Sequence, residues 1–172
     1  MKKSWIVTVL LLFNFIAALA ADDNIIGFWQ SMDKKTKKPS SVIAFYKYDG
    51  KIYGKIIGTY NAQGVIDDSI YHPEKRAPGV PEHPYYCGLD IVWDAVYNSR
   101  DEKYNGNVLD PRKGKVYDAD IWRDGNTLIL RGKLFVFGKN VKFPAFPEEN
   151  FNKDFKKPDL SKLVPNVPKS MR

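Results

Sequence analysis

The chain has 172 residues, 44% hydrophobic and 27% charged, with formal net charge +7 and one cysteine, Cys87. A lone cysteine excludes an internal disulfide, so a folded core must hold the structure together. The excess positive charge would attract anionic ligands, acidic lipid or cell-wall polymer, but the scatter of its lysines favours ordinary background charge, with local concentrations at Lys34–Lys38 and in the C-terminal tail.

Met1-Lys-Lys leads into an apolar run from Trp5 through Ala20, closing with Ala18-Leu-Ala-Ala21 before Asp22. A positive start, a short apolar core and small residues at its end describe a secretory signal peptide over 1–20. Asn14 within the run argues against a membrane anchor, and no cysteine follows the cleavage region to carry a lipid. Export removes nucleic acid from the partners. Cleavage would leave one domain over 21–146, followed by a basic, proline-containing tail, 147–172, expected to be extended and largely disordered, with room to lie across the barrel in places.

Asn24 to Ser31 holds Gly27-Phe28-Trp29 and reads as an opening strand; Lys34 to Lys38, stopped by Pro39, is a solvated connection. Ser41–Tyr48 and Lys51–Tyr60 flank Asp49-Gly50, a two-residue hairpin signal. Its register places Ile43, Phe45, Ile52, Gly54 and Ile56 on an inner face. Tyr46, Tyr48, Lys51, Tyr53 and Lys55 share the outer face, with Tyr46 opposite Tyr53. From 61 to 88 the pattern dissolves into prolines and paired aspartates, a long loop expected near the mouth of the fold. Leu89 to Trp93 is a short apolar strand, and 94–103 a polar connection.

Tyr104 to Leu134 is the most strongly patterned stretch: three strands joined by turns at Asp110–Gly114 and Asp124-Gly125. A four-residue loop over 111–114 puts Tyr104, Gly106 and Val108 on the same side as Tyr117, Ala119 and Ile121. Across a turn at 124–125, Ile121 faces Leu128, Ala119 faces Leu130, Tyr117 faces Gly132, and outer Asp118 meets Arg131. The last hairpin is expected to turn at Gly138-Lys139-Asn140 into 141–146. Seven or eight strands joined mostly by hairpins remove their edges best by closing into an up-and-down barrel. An open sandwich is the alternative.

Gly27-x-Trp29 before a meander barrel is similar to the opening motif of the lipocalins, where the tryptophan closes one barrel end. A more extensive resemblance covers roughly residues 26 to 137. It comprises Gly27-Phe-Trp29, Tyr48-Asp-Gly-Lys-Ile-Tyr-Gly-Lys55, Cys87-Gly-Leu-Asp-Ile-Val92, Gly106-Asn-Val-Leu-Asp-Pro-Arg-Lys-Gly-Lys-Val-Tyr117, and Leu128 to Gly132. Together these resemble the small secreted bacterial family filed as domain of unknown function 2147. The resemblance implies an exported lipocalin-like barrel and carries no activity with it. Two departures stand out: family members often have a close cysteine pair in the long loop, and the tail beyond Phe146 exceeds the usual domain.

The remaining chemistry is sparse. His72, His83 and Cys87 share a loop but match no common zinc spacing, so no metal is expected. No nucleophile elbow, His-Glu-x-x-His or phosphate-cradling glycine loop occurs, and no enzymatic role or cofactor is expected. The inner face is the candidate site: Ile43, Phe45, Ile52, Gly54, Ile56, Tyr104, Gly106, Val108, Tyr117, Ala119, Ile121, Leu128, Leu130 and Gly132. Its small residues either let backbones pack closely or leave open volume, while Tyr104 and Tyr117 supply hydroxyls. Trp29 is expected to plug the closed end. The expected function is binding of a small apolar or amphipathic molecule, such as a lipid or fatty acid, with peripheral contact to an anionic envelope. The alternatives are an interaction module using Tyr46, Tyr48, Tyr53 and the tail, and a hydrolase of envelope material.

Overall fold

A computed structural model describes residues 24–134 and 137–171, so the expected signal segment over 1–20 lies outside the described residues. Nine strands run antiparallel: β1 (Gly27–Met32), β2 (Pro39–Tyr48), β3 (Lys51–Tyr60), β4 (Ile66–Ser69), β5 (Asp90–Asn98), β6 (Lys103–Asp110), β7 (Lys115–Asp124), β8 (Thr127–Leu134) and β9 (Phe137–Pro144). They form one sheet in the order β1-β2-β3-β5-β6-β7-β8-β9, with β4 folded back on β3. The sheet curls until its ends meet. Trp29 bridges Ala145, and the Phe146 N–H donates to the Phe28 carbonyl at 2.8 Å. The result is an all-β, nearly closed, up-and-down barrel, and the open sandwich is excluded.

Turn chemistry sets the register. Asp49, at φ 47°, and Gly50 carry the β2–β3 turn, placing Tyr46 against Tyr53, with ring centroids 5.8 Å apart. In the β6–β7 turn, the Asp110 carboxylate accepts from the Arg112 N–H at 3.1 Å and the Asp110 carbonyl from the Gly114 N–H at 2.8 Å. Tyr104, Gly106 and Val108 then pair with Ile121, Ala119 and Tyr117, as the four-residue loop requires.

Four expectations are corrected. The β7–β8 reversal falls at Gly125-Asn126, one residue later than expected. Ile121 therefore pairs with Leu130 and Ala119 with Gly132. Faces survive such a two-residue slip, but ion pairs do not: Asp118 sits opposite Lys133, and the bridge runs from Lys133 to Asp120 at 2.6 Å. The polar stretch after Trp93 continues β5, because a bulge between Trp93 and Val96, with Asp94 at φ 54°, breaks the alternation. Gly138, Lys139 and Asn140 are strand, not turn; they pair with Lys133, Gly132 and Arg131, and the bare glycine leaves room for the Arg131 side chain.

The tail is the fourth correction. Residues 147–171 lie against the outside of the barrel instead of forming a disordered extension. Phe151 packs edge-on to Phe28 and Phe146 at 5.1 and 4.8 Å and stacks on Phe155 at 4.9 Å. Beneath them Val42, Ala44 and Ile57 are fully buried on the outer face of β2 and β3. Further along, Asn166 clamps the start of β5: its N–H donates to the Asp90 carboxylate at 2.5 Å, and its carbonyl accepts the Asp90 N–H at 3.1 Å. That carboxylate also takes the Tyr46 hydroxyl at 2.9 Å and the Lys55 ammonium at 2.7 Å. Burial raises the Asp90 carboxyl above its ordinary range, although Lys55 and the Asn166 N–H pull the other way. Tyr46 and Tyr53 are consequently buried, and only Tyr48 of the supposed tyrosine face reaches solvent, at 43% exposure.

Candidate functional site

The barrel interior divides along its axis. Towards the β2–β3, β5–β6 and β7–β8 turns it is filled. A Cβ on Gly54 would stand 3.1 Å from the Phe45 ring, and one on Gly106 only 2.7 Å from the Ala95 backbone at the β5 bulge. Ile52, Tyr104, Ala119, Ile121 and Leu128 are buried in the same core. Trp29 sits at this end; its indole N–H donates to the Ile25 carbonyl at 2.9 Å. The Arg123 guanidinium lies over the ring at 5.6 Å and also donates to the Asn24 carbonyl at 3.1 Å.

Towards the opposite end the interior opens into a cavity of about 550 Å³. Ile43, Ile56, Val108, Tyr117, Leu130 and Gly132 line it. Gly132 faces open volume: a Cβ there would meet nothing nearer than 3.8 Å. Of the inner-face set read from the sequence, Phe45, Ile52, Gly54, Tyr104, Gly106, Ala119, Ile121 and Leu128 lie outside the cavity wall. The small residues therefore do both things expected of them, at different depths.

Sequence reasoning missed Ile91, Val141 and Phe143 in the wall. The last two alternate in β9 and would have been found with the final turn placed correctly. It also missed the rim, where Lys34, Lys75, Arg112, Lys113 and Lys139 surround the opening with Asp110. These residues come from three connections and the flank of β9, brought together only by the closed barrel.

Several rim groups are held in place. Lys75 donates to the Thr59 hydroxyl, the Tyr60 carbonyl and the Asp67 carboxylate, each at 3.1 Å. Buried Asp68 fixes the backbone beside it by accepting from the Glu74 N–H at 2.9 Å and the Thr59 hydroxyl at 3.0 Å. The β1–β2 loop is closed by Asp33, which accepts the Lys35 and Thr36 N–H groups at 2.9 and 2.8 Å. Those bonds hold its carboxyl below the ordinary range. Arg112 reaches the same carboxylate at 3.5 Å, tying two sides of the mouth together.

The long 61–88 segment does lie at this end. Lys75 and Tyr86 form part of the wall, and Ala77 and Val80 are buried. Gly79 rests on the β6–β7 turn, where a Cβ would stand 2.5 Å from the Arg112 carbonyl. Burial raises the Tyr60 and Tyr86 phenols above their usual range, so both remain hydroxyls at neutral pH. His72 and His83 are exposed, and Cys87 is buried beside Asp68, with its thiol pushed up by burial and by that charge. Among the described residues, no group of three His, Cys, Asp or Glu side chains is placed to hold a metal.

Residues 27–144 match a family described as uncharacterized protein conserved in bacteria (DUF2147). The chain belongs to the DUF2147 family. No curated protein matches it. Among solved structures it is similar to protein HP1028 from the human pathogen Helicobacter pylori, described as belonging to the lipocalin family. The two share 18% identity over 72% of this chain and 84% of that chain, with a TM-score of 0.57. At that identity the likeness carries the fold alone: this DUF2147 chain is a lipocalin-like barrel. Its tail beyond Pro144 lies outside the family match.

Proposed function

We propose that this protein is an exported carrier of a small amphipathic molecule, with an apolar body inside the barrel and an acidic group at the mouth. The observation that carries this is the cavity of about 550 Å³, walled by aliphatic and aromatic side chains beneath a rim of lysines and Arg112. Pockets that take single small ligands span about 300–1,000 Å³ and combine an apolar wall with a few fixed polar groups. Burying apolar surface there contributes roughly 25 cal/mol per Å² before ordering costs are subtracted. Export rests on Lys2-Lys3, the apolar run to Ala20 and the small residues around it.

Native mass spectrometry of protein purified from its own envelope tests the reading. A bound lipid or fatty-acid-like mass supports it, and uniformly empty protein counts heavily against it. Docking through a tyrosine face is not favoured, since Tyr46 and Tyr53 are buried and their hydroxyls are taken by Asp90 and Asp94.

A further inference from the structure

The charge of the folded barrel is unevenly placed. At the filled end the turns interleave acids and bases: Asp49, Asp101, Glu102 and Asp124 stand among Lys51, Arg100 and Arg123. At the cavity end the β1–β2 loop alone presents Lys34, Lys35, Lys37 and Lys38, all exposed. The β6–β7 turn adds Lys113, the first residue of β7 adds Lys115, and β9 adds Lys139, also exposed. Glu74 and Glu82 of the 61–88 segment are exposed here, and Asp110 lies on the rim with its carboxylate accepting the Arg112 N–H, but the other acids are engaged. Asp33 is taken up by its own loop amides and Arg112, Asp67 by Lys75, and Asp68 is buried. Among the described residues, none of these seven lysines enters an ion pair, so their field is directed outward.

A second observation gives that field an address. Three of the seven, Lys34, Lys113 and Lys139, line the apolar cavity, and the other four stand on the same loop as Lys34 or two residues from Lys113. In the 61–88 segment, next in sequence to the wall residue Tyr86, Tyr85 is 37% exposed with the Arg76 guanidinium 4.0 Å from its ring, a polar-tipped aromatic of the kind that settles at lipid headgroups.

We infer that the cavity end of the barrel is a docking face for an anionic lipid bilayer. It rests on the carrier reading, because a bilayer is the surface from which an acidic amphiphile would enter or to which it would be returned. Lysines near an anionic membrane each strengthen attachment by about fivefold and act within a Debye length of about 10 Å. An end carrying seven of them, where the filled end interleaves acids with its bases, orients the barrel mouth-down. The β1–β2 loop is the first element to touch.

The test is sedimentation of the full chain with phosphatidylglycerol–phosphatidylcholine vesicles against pure phosphatidylcholine, for the wild type and for Lys34→Glu/Lys35→Glu/Lys37→Glu/Lys38→Glu. The four positions are exposed loop residues, so the variant retains its fold, checked by circular dichroism. The expected result is binding to the anionic vesicles, weakened by added salt and lowered at least about 100-fold in the variant. Equal binding to both vesicle types, or unchanged binding by the variant, overturns the proposal. So does wild-type binding to anionic vesicles that added salt leaves unchanged. Uptake of a soluble fluorescent fatty acid is measured in parallel. Uptake without vesicle binding sinks the docking face alone, whereas vesicle binding without uptake sinks the carrier reading and leaves the docking face standing.

Discussion

Substituting Gly106 and Gly132 separates the packed half of the barrel from the open half. Both lie on the inner face with Ala119 between them across the sheet, so sequence pattern treats them alike. A methyl on Gly106 would collide with the Ala95 backbone, which cannot withdraw without undoing the β5 bulge. Gly106→Ala should therefore cost about 1–3 kcal/mol, read as a lower urea midpoint. Gly132→Phe places its ring in the cavity and should leave the midpoint nearly unchanged while reducing fatty-acid-probe affinity at least about tenfold. Equal stability losses at the two positions would show that the interior is packed throughout. A second residue-scale prediction concerns the Lys55–Asp90 pair, whose side chains are 5% and 0% exposed. Lys55→Met leaves the carboxylate buried without its cation, at a cost of about 3–5 kcal/mol in chemical denaturation. A loss below 1 kcal/mol would mean that the Tyr46 and Asn166 donors satisfy Asp90 unaided.

At the scale of elements, the tail changes how the barrel's outer surface is understood. Phe28, Val42, Ala44, Ile57 and Phe146 form an apolar cluster on the outer face; Ile66 and Ile70 pack against one side of it, and Phe151, Phe155, Leu160 and Leu163 of the tail cover the rest. Truncation after Phe146 would bare this patch and strip the Asn166 N–H from Asp90. The expected outcome is a barrel that retains its β-sheet spectrum, unfolds at lower urea and self-associates on gel filtration, since large exposed apolar patches drive association. A monomeric, equally stable truncated chain would show that the tail contributes nothing to the fold. The sequence held a sign of this. Val42-Ile43-Ala44-Phe45-Tyr46 and Ile56-Ile57 are continuous apolar runs, which indicate strands buried on both faces. Reading only one face from period two, and the lysines and prolines of the tail as disorder, hid the packing. Turns with strong local chemistry, Asp49-Gly50 and Asp110–Gly114, were legible, as were the faces they impose. The β5 bulge and the β8–β9 reversal were not, because the first interrupts alternation and the second is preceded and followed by apolar residues that mask it. The hydrophobic wall of the cavity was partly legible for the same reason as the faces. Its depth and its cationic rim were not, since both depend on which loops meet after the barrel closes.

For the whole molecule, the consequence is a division of labour along the barrel axis. The end holding Trp29, Phe45, Ile121 and Leu128 is packed by its own side chains. The other end keeps about 550 Å³ open, which forgoes packing there, and holds its loops by polar contacts such as Asp33 with Thr36 and Lys75 with Asp67. Loops with few buried apolar contacts and solvent-facing hydrogen bonds open locally at low free energy. A ligand bound in the cavity stabilises the native state by about 2.7 kcal/mol when present at 100 times its dissociation constant. In this barrel that gain should be distributed unevenly. Hydrogen exchange with and without a fatty-acid probe should show slower exchange at Lys35, Thr36 and Arg112–Gly114, where sub-global opening releases the ligand. Amides pairing Ile121 with Leu130 should slow only to the extent that they exchange through global unfolding. Protection confined to the Trp29 end, with the rim unchanged, would place the ligand outside the cavity.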